Sequence, residues 1–171
     1  NNFMKLILIF ILLSGNFLFG QCPERKLLNE RIVVVNKSLN EDPYKKLKDL
    51  LAFDNIIKNC GYTNDSTHAF LLQRIGAAYH NLDDYKNAIT YTQQAISIIS
   101  KNFNKPSIDY TAIIKDYYNL SVYYDSLDMQ FERNKAVDSC VTIALKLKFT
   151  SGETIYLLSV RVKTLFNIGE Y

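Results

Sequence analysis

The stretch from Ala69 to Ser100, AFLLQRIGAAYHNLDDYKNAITYTQQAISIIS, decides the fold. Leu72, Ile75, Gly76 and Tyr79 recur at three- and four-residue steps, the spacing that puts side chains on one face of an α-helix. Asp83-Asp84-Tyr85 interrupts that run. A second run then carries Ala88, Ile89, Tyr91, Ala95, Ile96 and Ile98. Two helices joined by a short turn follow, with Asp84 as the cap of the second, its carboxylate accepting otherwise unpaired backbone N–H groups. A glycine inside a helix costs about 1 kcal/mol relative to alanine, so Gly76 marks a place where another backbone comes close.

The composition of the whole chain agrees with a packed helical domain. Of 171 residues 48% are hydrophobic and 22% charged, which excludes a disordered tail. Twenty basic against 17 acidic residues leave a net charge of +3, too little for a nucleic-acid-binding arm. Six glycines and no tryptophan argue against a glycine-rich phosphate loop or a series of tight hairpins.

The Ala69–Ser100 pattern resembles the tetratricopeptide repeat. In that family two antiparallel helices cross closely, with small residues at the contacts and large ones between them. Gly76, Ala88 and Ala95 match the small positions, and Leu72, Tyr79 and Tyr85 the large ones. A shift of 45 residues lays Leu120-Ser121 on Ile75-Gly76, Tyr124 on Tyr79, Leu127 on Leu82, Asp128 on Asp83 and Cys140-Val141 on Ala95-Ile96. Arg133 falls on Ala88 and Gln130 on Tyr85, so either the second helix slips locally or Phe131 and Ala136 take over those positions. A further 41 residues on, Leu158, Val162, Leu165 and Asn167-Ile168-Gly169-Glu170-Tyr171 repeat a first helix and its turn. Both offsets exceed the usual 34, as in long-period members of the family. The expected fold is all-α: a right-handed superhelical stack of antiparallel helix pairs, an α-solenoid. Residues 22–61 form an amino-terminal capping pair, 62–106 a first repeat, 107–149 a second, and 150–171 the first helix of a truncated third. Asp65 or Ser66, Ser107 and Ser151 are further helix caps, and Asn40-Glu41-Asp42-Pro43 opens the second helix of the capping pair, which Cys60-Gly61 closes.

Residues 1–21 read as a secretory signal peptide. Lys5 follows a start at Met4, eight apolar residues run from Leu6 to Leu13, and Gly20 precedes the cleavage region. Eight is far short of the ~20 residues that span a bilayer, so the mature chain is expected to have no membrane span. Gln21 is not the small residue a lipoprotein signal places before its cysteine, so export to the periplasm or beyond is expected over acylation at Cys22. In an oxidising compartment Cys22 and Cys60 could form a disulfide, or remain two separate thiols. Cys140, at helical spacing from Val137, Val141 and Ile143, reads as a core residue.

Solenoids of this class expose the first helix of each pair on a concave surface where a peptide or partner segment lies. The resemblance assigns to that groove Phe70, Gln73, Ala77, His80 and Asn81, then Lys115, Tyr118, Val122, Asp125 and Ser126, then Tyr156, Ser159, Lys163 and Phe166. Tyr118, Tyr156 and Phe166 are the expected anchors, since aromatics supply large contact area with few torsions to freeze. Ala77 and Val122 stand where carboxylate-gripping relatives carry asparagines, which speaks against a clamp of that kind.

Catalytic patterns are missing. Asp65, Ser66 and His68 lie too close together on a helix start for a nucleophile–base–orienter line, and capping accounts for the first two. His80 has no His or Cys at metal-ligand spacing, and no nucleophile elbow or Walker loop occurs. Lys45, Lys46 and Lys48, flanked by Asp42, Asp49 and Asp54, read as a solvated helix face. The expected role is an exported, non-enzymatic scaffold that binds a protein or peptide, with no cofactor, metal or nucleic acid. The repeats and the Phe-Gly-Gln ending of the leader resemble exported proteins of the Bacteroidota. Two other roles fit the pattern: the regulatory front of a CHAT-type, caspase-like peptidase, or the sensor region of a membrane signalling protein. Because the third repeat breaks off at Tyr171, further repeats or a carboxy-terminal domain are expected.

Overall fold

The computed structural model describes residues 22–37, 42–102, 110–146 and 152. The expected signal peptide, the caps at Ser107 and Ser151 and the truncated third repeat lie outside the described residues. Among the described residues six helices follow one another: α1 (Arg25–Lys37), α2 (Pro43–Asn59), α3 (Ser66–His80), α4 (Tyr85–Lys101), α5 (Tyr110–Asp125) and α6 (Gln130–Lys146). No strand occurs among the described residues. Each helix packs against the next, and α1 also touches α3, which makes an all-α stack built in sequence order.

Local chemistry sets the helix ends. The Asp42 carboxylate accepts the Tyr44 N–H, with Pro43 in the first turn of α2. Asp65 caps α3 by accepting the His68 N–H, and Asp84 caps α4 by accepting the Asn87 N–H. At the end of α2, Gly61 takes a left-handed φ of 65°, its N–H reaching the Lys58 carbonyl while the Tyr62 N–H reaches that of Ile57. This paired closure satisfies the last carbonyls of the helix.

The turns between α3 and α4 and between α5 and α6 are the same turn. The N–H groups of Asn81, Leu82, Asp83 and Asp84 donate to the carbonyls of Ala77, Tyr79, His80 and Tyr79. Those of Ser126, Leu127, Asp128 and Met129 donate to Val122, Tyr124, Asp125 and Tyr124, each bond displaced by 45 residues. Asp83 and Asp128 both sit at positive φ, 57° and 56°, a conformation that Asp and Asn tolerate better than most side chains. Helix α6 begins and ends 45 residues after α4, so the second helix does not slip. Phe131 does not replace Tyr85 either. It is 77% exposed, because the shared turn fixes the helix phase and puts residue 131 on the outward side, as it does Lys86. Ala136 is buried. Arg133, in the place of Ala88, reaches out to Asp125 at 3.1 Å and to the Gln130 side chain at 3.2 Å.

Helix α3 divides the core. Leu71, Ile75 and Ala78 pack with Leu28 and Ile32 of α1 and Leu50 and Ile57 of α2. Ala69 and Leu72 join the larger cluster formed with α4, α5 and α6, where Cys140, Val141 and Ala144 are fully enclosed. Burial pushes the Cys140 thiol up to about 12, so it stays protonated. Leu27 of α1 lies outward, 42% exposed. Cys22 and Cys60 are joined by a disulfide with Cα atoms 5.6 Å apart. Beside it Arg25 pairs with Asp65 at 3.1 Å and covers the Tyr62 ring at 4.7 Å.

Gly76 lies where α3 meets α4 backbone to backbone. A Cβ there would stand 2.7 Å from Thr92 Oγ1 and 3.2 Å from the Ala88 carbonyl oxygen. Gly76→Ala is expected to destabilise by about 1–3 kcal/mol in urea denaturation, overpacking outweighing the ~1 kcal/mol gain in helix propensity. Adding Thr92→Ala should recover part of the loss. A stabilised Gly76→Ala variant would show that the two backbones have room to spare.

Candidate functional site

Once α3 has used two sides for the cores, a third strip remains. Phe70, Gln73, Ala77 and His80, at steps of three and four, are all half-buried. The matching strip on α5 holds Lys115, Tyr118, Val122 and Asp125; Lys115 and Asp125 are exposed and the other two half-buried. Two contacts tie the strips together. Gln73 Nε2 donates to Asp116 Oδ2 at 2.7 Å, and the His80 ring lies 4.9 Å from that of Tyr123. With α1 touching α3, the first helices of successive pairs therefore adjoin one another.

The candidates differ in their freedom to meet a partner. Gln73 is held by Asp116, and His80 lies between Tyr123 and the edge of Tyr85. Asp125 is paired with Arg133, Ser126 bonds back to the Val122 carbonyl, and exposed Asn81 closes α3. Phe70 lies beneath the Arg74 guanidinium at 4.9 Å. Tyr156, Ser159, Lys163 and Phe166 fall outside the described residues.

Three members of this region were not among the sequence candidates: Arg74, Asp116 and Tyr123. Asp116 is only 2% exposed, and burial pushes its carboxyl up to about 7 despite the Gln73 hydrogen bond and the nearby Arg74 charge. Burial likewise lowers Arg74, though Asp116 and Tyr123 oppose this, and raises Tyr123 to about 12. Since the folded value lies above the ordinary one, the stability that Asp116 contributes is full only in acid, below the unfolded carboxyl range, and is lost as pH rises through about 7. A signal for this existed: the 45-residue offset lays Asp116 on Leu71, an acid on a core leucine.

A second polar cluster joins α2 to α3, and here the reading of Asp54 as part of a solvated face is corrected. Asp54 is 2% exposed. Its carboxylate meets His68 Nε2 at 3.0 Å and the Lys58 ammonium at 2.6 Å. Burial alone would raise its pKa, but these two hydrogen bonds outweigh burial and hold it below the usual carboxylate range. The helical period turns residue 54 toward α3 with Leu50 and Ile57, while the lysines at 45 and 48 face outward. His68 thus serves Asp54 as a buried structural partner.

A groove of about 290 Å³ lies between α4, α5 and α6, and none of the sequence candidates lines it. Ile96, Leu120 and Ala136 line it with apolar side chains, Tyr117 and Tyr124 with rings, and Glu132 and Lys135 with charges, Lys135 being exposed and Glu132 half-buried. No cluster of three or more metal-ligating side chains occurs among the described residues, and no described helix is long and apolar enough to cross a membrane. No protein-family model matches the chain, and no curated protein matches it significantly.

Proposed function

We propose that this chain is an exported protein–protein interaction scaffold of tetratricopeptide type, binding a peptide or partner segment along α1, α3 and α5 rather than catalysing a reaction. The observation that carries this reading is the adjoining of first helices, fastened by Gln73–Asp116 and His80–Tyr123, which leaves one half-exposed strip running from Phe70 to Tyr118. A preset strip lowers the ordering cost that a partner's binding energy must cover. The Cys22–Cys60 bond supports the export part of the reading, since such bonds persist in oxidising compartments.

Selection from a peptide library on the immobilised protein tests this. Phe70→Ala and Tyr118→Ala should each weaken binding of the selected peptides by roughly tenfold or more, as truncating an aromatic anchor does. Far-UV circular dichroism of both variants verifies the fold. Undiminished binding in both would remove the strip from consideration.

A further inference from the structure

The groove between α4, α5 and α6 gains its meaning from the internal repeat. At the 45-residue offset Tyr124 corresponds to Tyr79 and Ala136 to Tyr91. In the first hairpin those two positions carry stacked rings, Tyr79 on Tyr91, with centroids 5.4 Å apart and planes 23° from parallel. Tyr91 there packs into the cluster formed by α1, α2 and α3, filling the space between consecutive pairs. In the second hairpin the turn and the limits of the second helix are the same, yet the side chain at 136 ends at Cβ. The space that Tyr91 fills in one hairpin is therefore a groove in the next, with Tyr124 along its wall.

The surroundings are built for a ring. Gln93 Nε2 donates to the Tyr124 hydroxyl at 2.8 Å and holds that ring in orientation. Ile96 and Leu120 line the same groove with apolar surface. An acid and a base also line it, half-buried Glu132 one helical turn before Ala136 and exposed Lys135 immediately before it. The volume, about 290 Å³, matches the lower end of small-ligand sites, roughly 300 Å³ and upward.

We propose that this groove binds an aromatic amino acid, its ring lying against Tyr124 as Tyr91 lies against Tyr79, with Glu132 facing its ammonium and Lys135 its carboxylate. Offset stacking and burial of the ring supply the attraction, and the paired charges select an amino acid over a simple arene. The site uses α4, α5 and α6 and is independent of the strip proposed for partner binding.

Ligand-observed NMR and calorimetric titration of the intact chain with L-tyrosine, L-phenylalanine, L-leucine and p-cresol test the proposal. Tyrosine and phenylalanine should bind, and leucine should bind roughly tenfold more weakly for want of stacking. Ala136→Tyr, which rebuilds the ring of the first hairpin, should abolish binding. Glu132→Gln with Lys135→Gln should weaken tyrosine and leave p-cresol unchanged. No binding of tyrosine, full binding by a folded Ala136→Tyr variant, or tyrosine no tighter than p-cresol would each overturn the proposal. A peptide with an internal tyrosine that matched the free amino acid would overturn the assignment to a free ligand. Should Ala136→Tyr fail to fold, intermolecular NOEs from bound tyrosine decide: contacts to Tyr124 and Leu120 support the site, and contacts elsewhere refute it.

Discussion

Replacing Cys22 and Cys60 by serine should lower the stability of the chain by about 4 kcal/mol, the entropic worth of closing a loop of 38 residues. The bond fastens the residue ahead of α1 to the C-cap of α2. Helix α1 rests on the stack through few fully buried side chains, Leu28 and Ile32. Severing the tether therefore leaves it held by those two residues, the Arg25–Asp65 pair and its neighbours. The loss should be local before it is global. Hydrogen exchange should quicken across Arg25–Lys37 and in α2, while the hairpin of α5 and α6 retains its protection. Denaturant melts of oxidised wild type, reduced wild type and the double serine variant give the magnitude. A change below about 1 kcal/mol, far under the loop-closure value, would show that packing alone holds α1.

Asp54→Ala should cost about 3 kcal/mol, the lower end of what breaking a buried charged pair costs. Lys58 is half exposed and can turn to water, so its loss of partner counts for little. His68 cannot escape. Its side chain is 8% exposed, and among the described residues Nδ1 has no hydrogen-bond partner, so removing Asp54 strips Nε2 of the carboxylate it meets. A double-mutant cycle with His68→Leu should recover a substantial part of the loss, since an apolar residue leaves no polar atom unsatisfied. The pH profile supplies a second readout. A carboxyl held below its ordinary value contributes stability that is full above the unfolded pKa, ~3.9, and is lost as pH falls through the folded value. Asp54→Asn should flatten the acid limb of the wild-type curve below about pH 4. Asp116 acts in the opposite direction at higher pH, so the two limbs are separable. An Asp54→Asn curve parallel to wild type in acid would mean that the carboxylate does not hold α2 to α3.

These expectations rest on different parts of the chain in different ways. The helices and their turns were readable from residues near one another in sequence. The helix caps are contacts between residues two or three apart, and Asp42, Asp65 and Asp84 each cap a helix. Gly76 was readable because a helix interior tolerates glycine poorly, and α4 does approach it. The strip Phe70–His80 came from the resemblance to the tetratricopeptide repeat, since the helical period by itself does not say which outer face a partner would meet. Phe131 is the instructive failure: an aromatic one step from the expected place does not turn inward, because the turn dictates the phase and hydrophobicity cannot rotate a helix locked by four backbone bonds.

What the amino-acid sequence determined by itself is therefore the succession of helices, the shared hairpin turn and the 45-residue spacing, all consequences of local hydrogen bonding and periodicity. Only the tertiary structure decided which charged side chains are buried. Asp54 meets His68 across 14 residues, and Gln73 meets Asp116 across 43. An aspartate carries no mark in sequence that says whether a neighbouring helix will bring it a donor. The same holds for the groove at Ala136. An alanine on a helix is ordinary, and it becomes a vacancy only when Tyr124, Ile96 and Leu120 converge from two other helices around the space that its counterpart, Tyr91, fills.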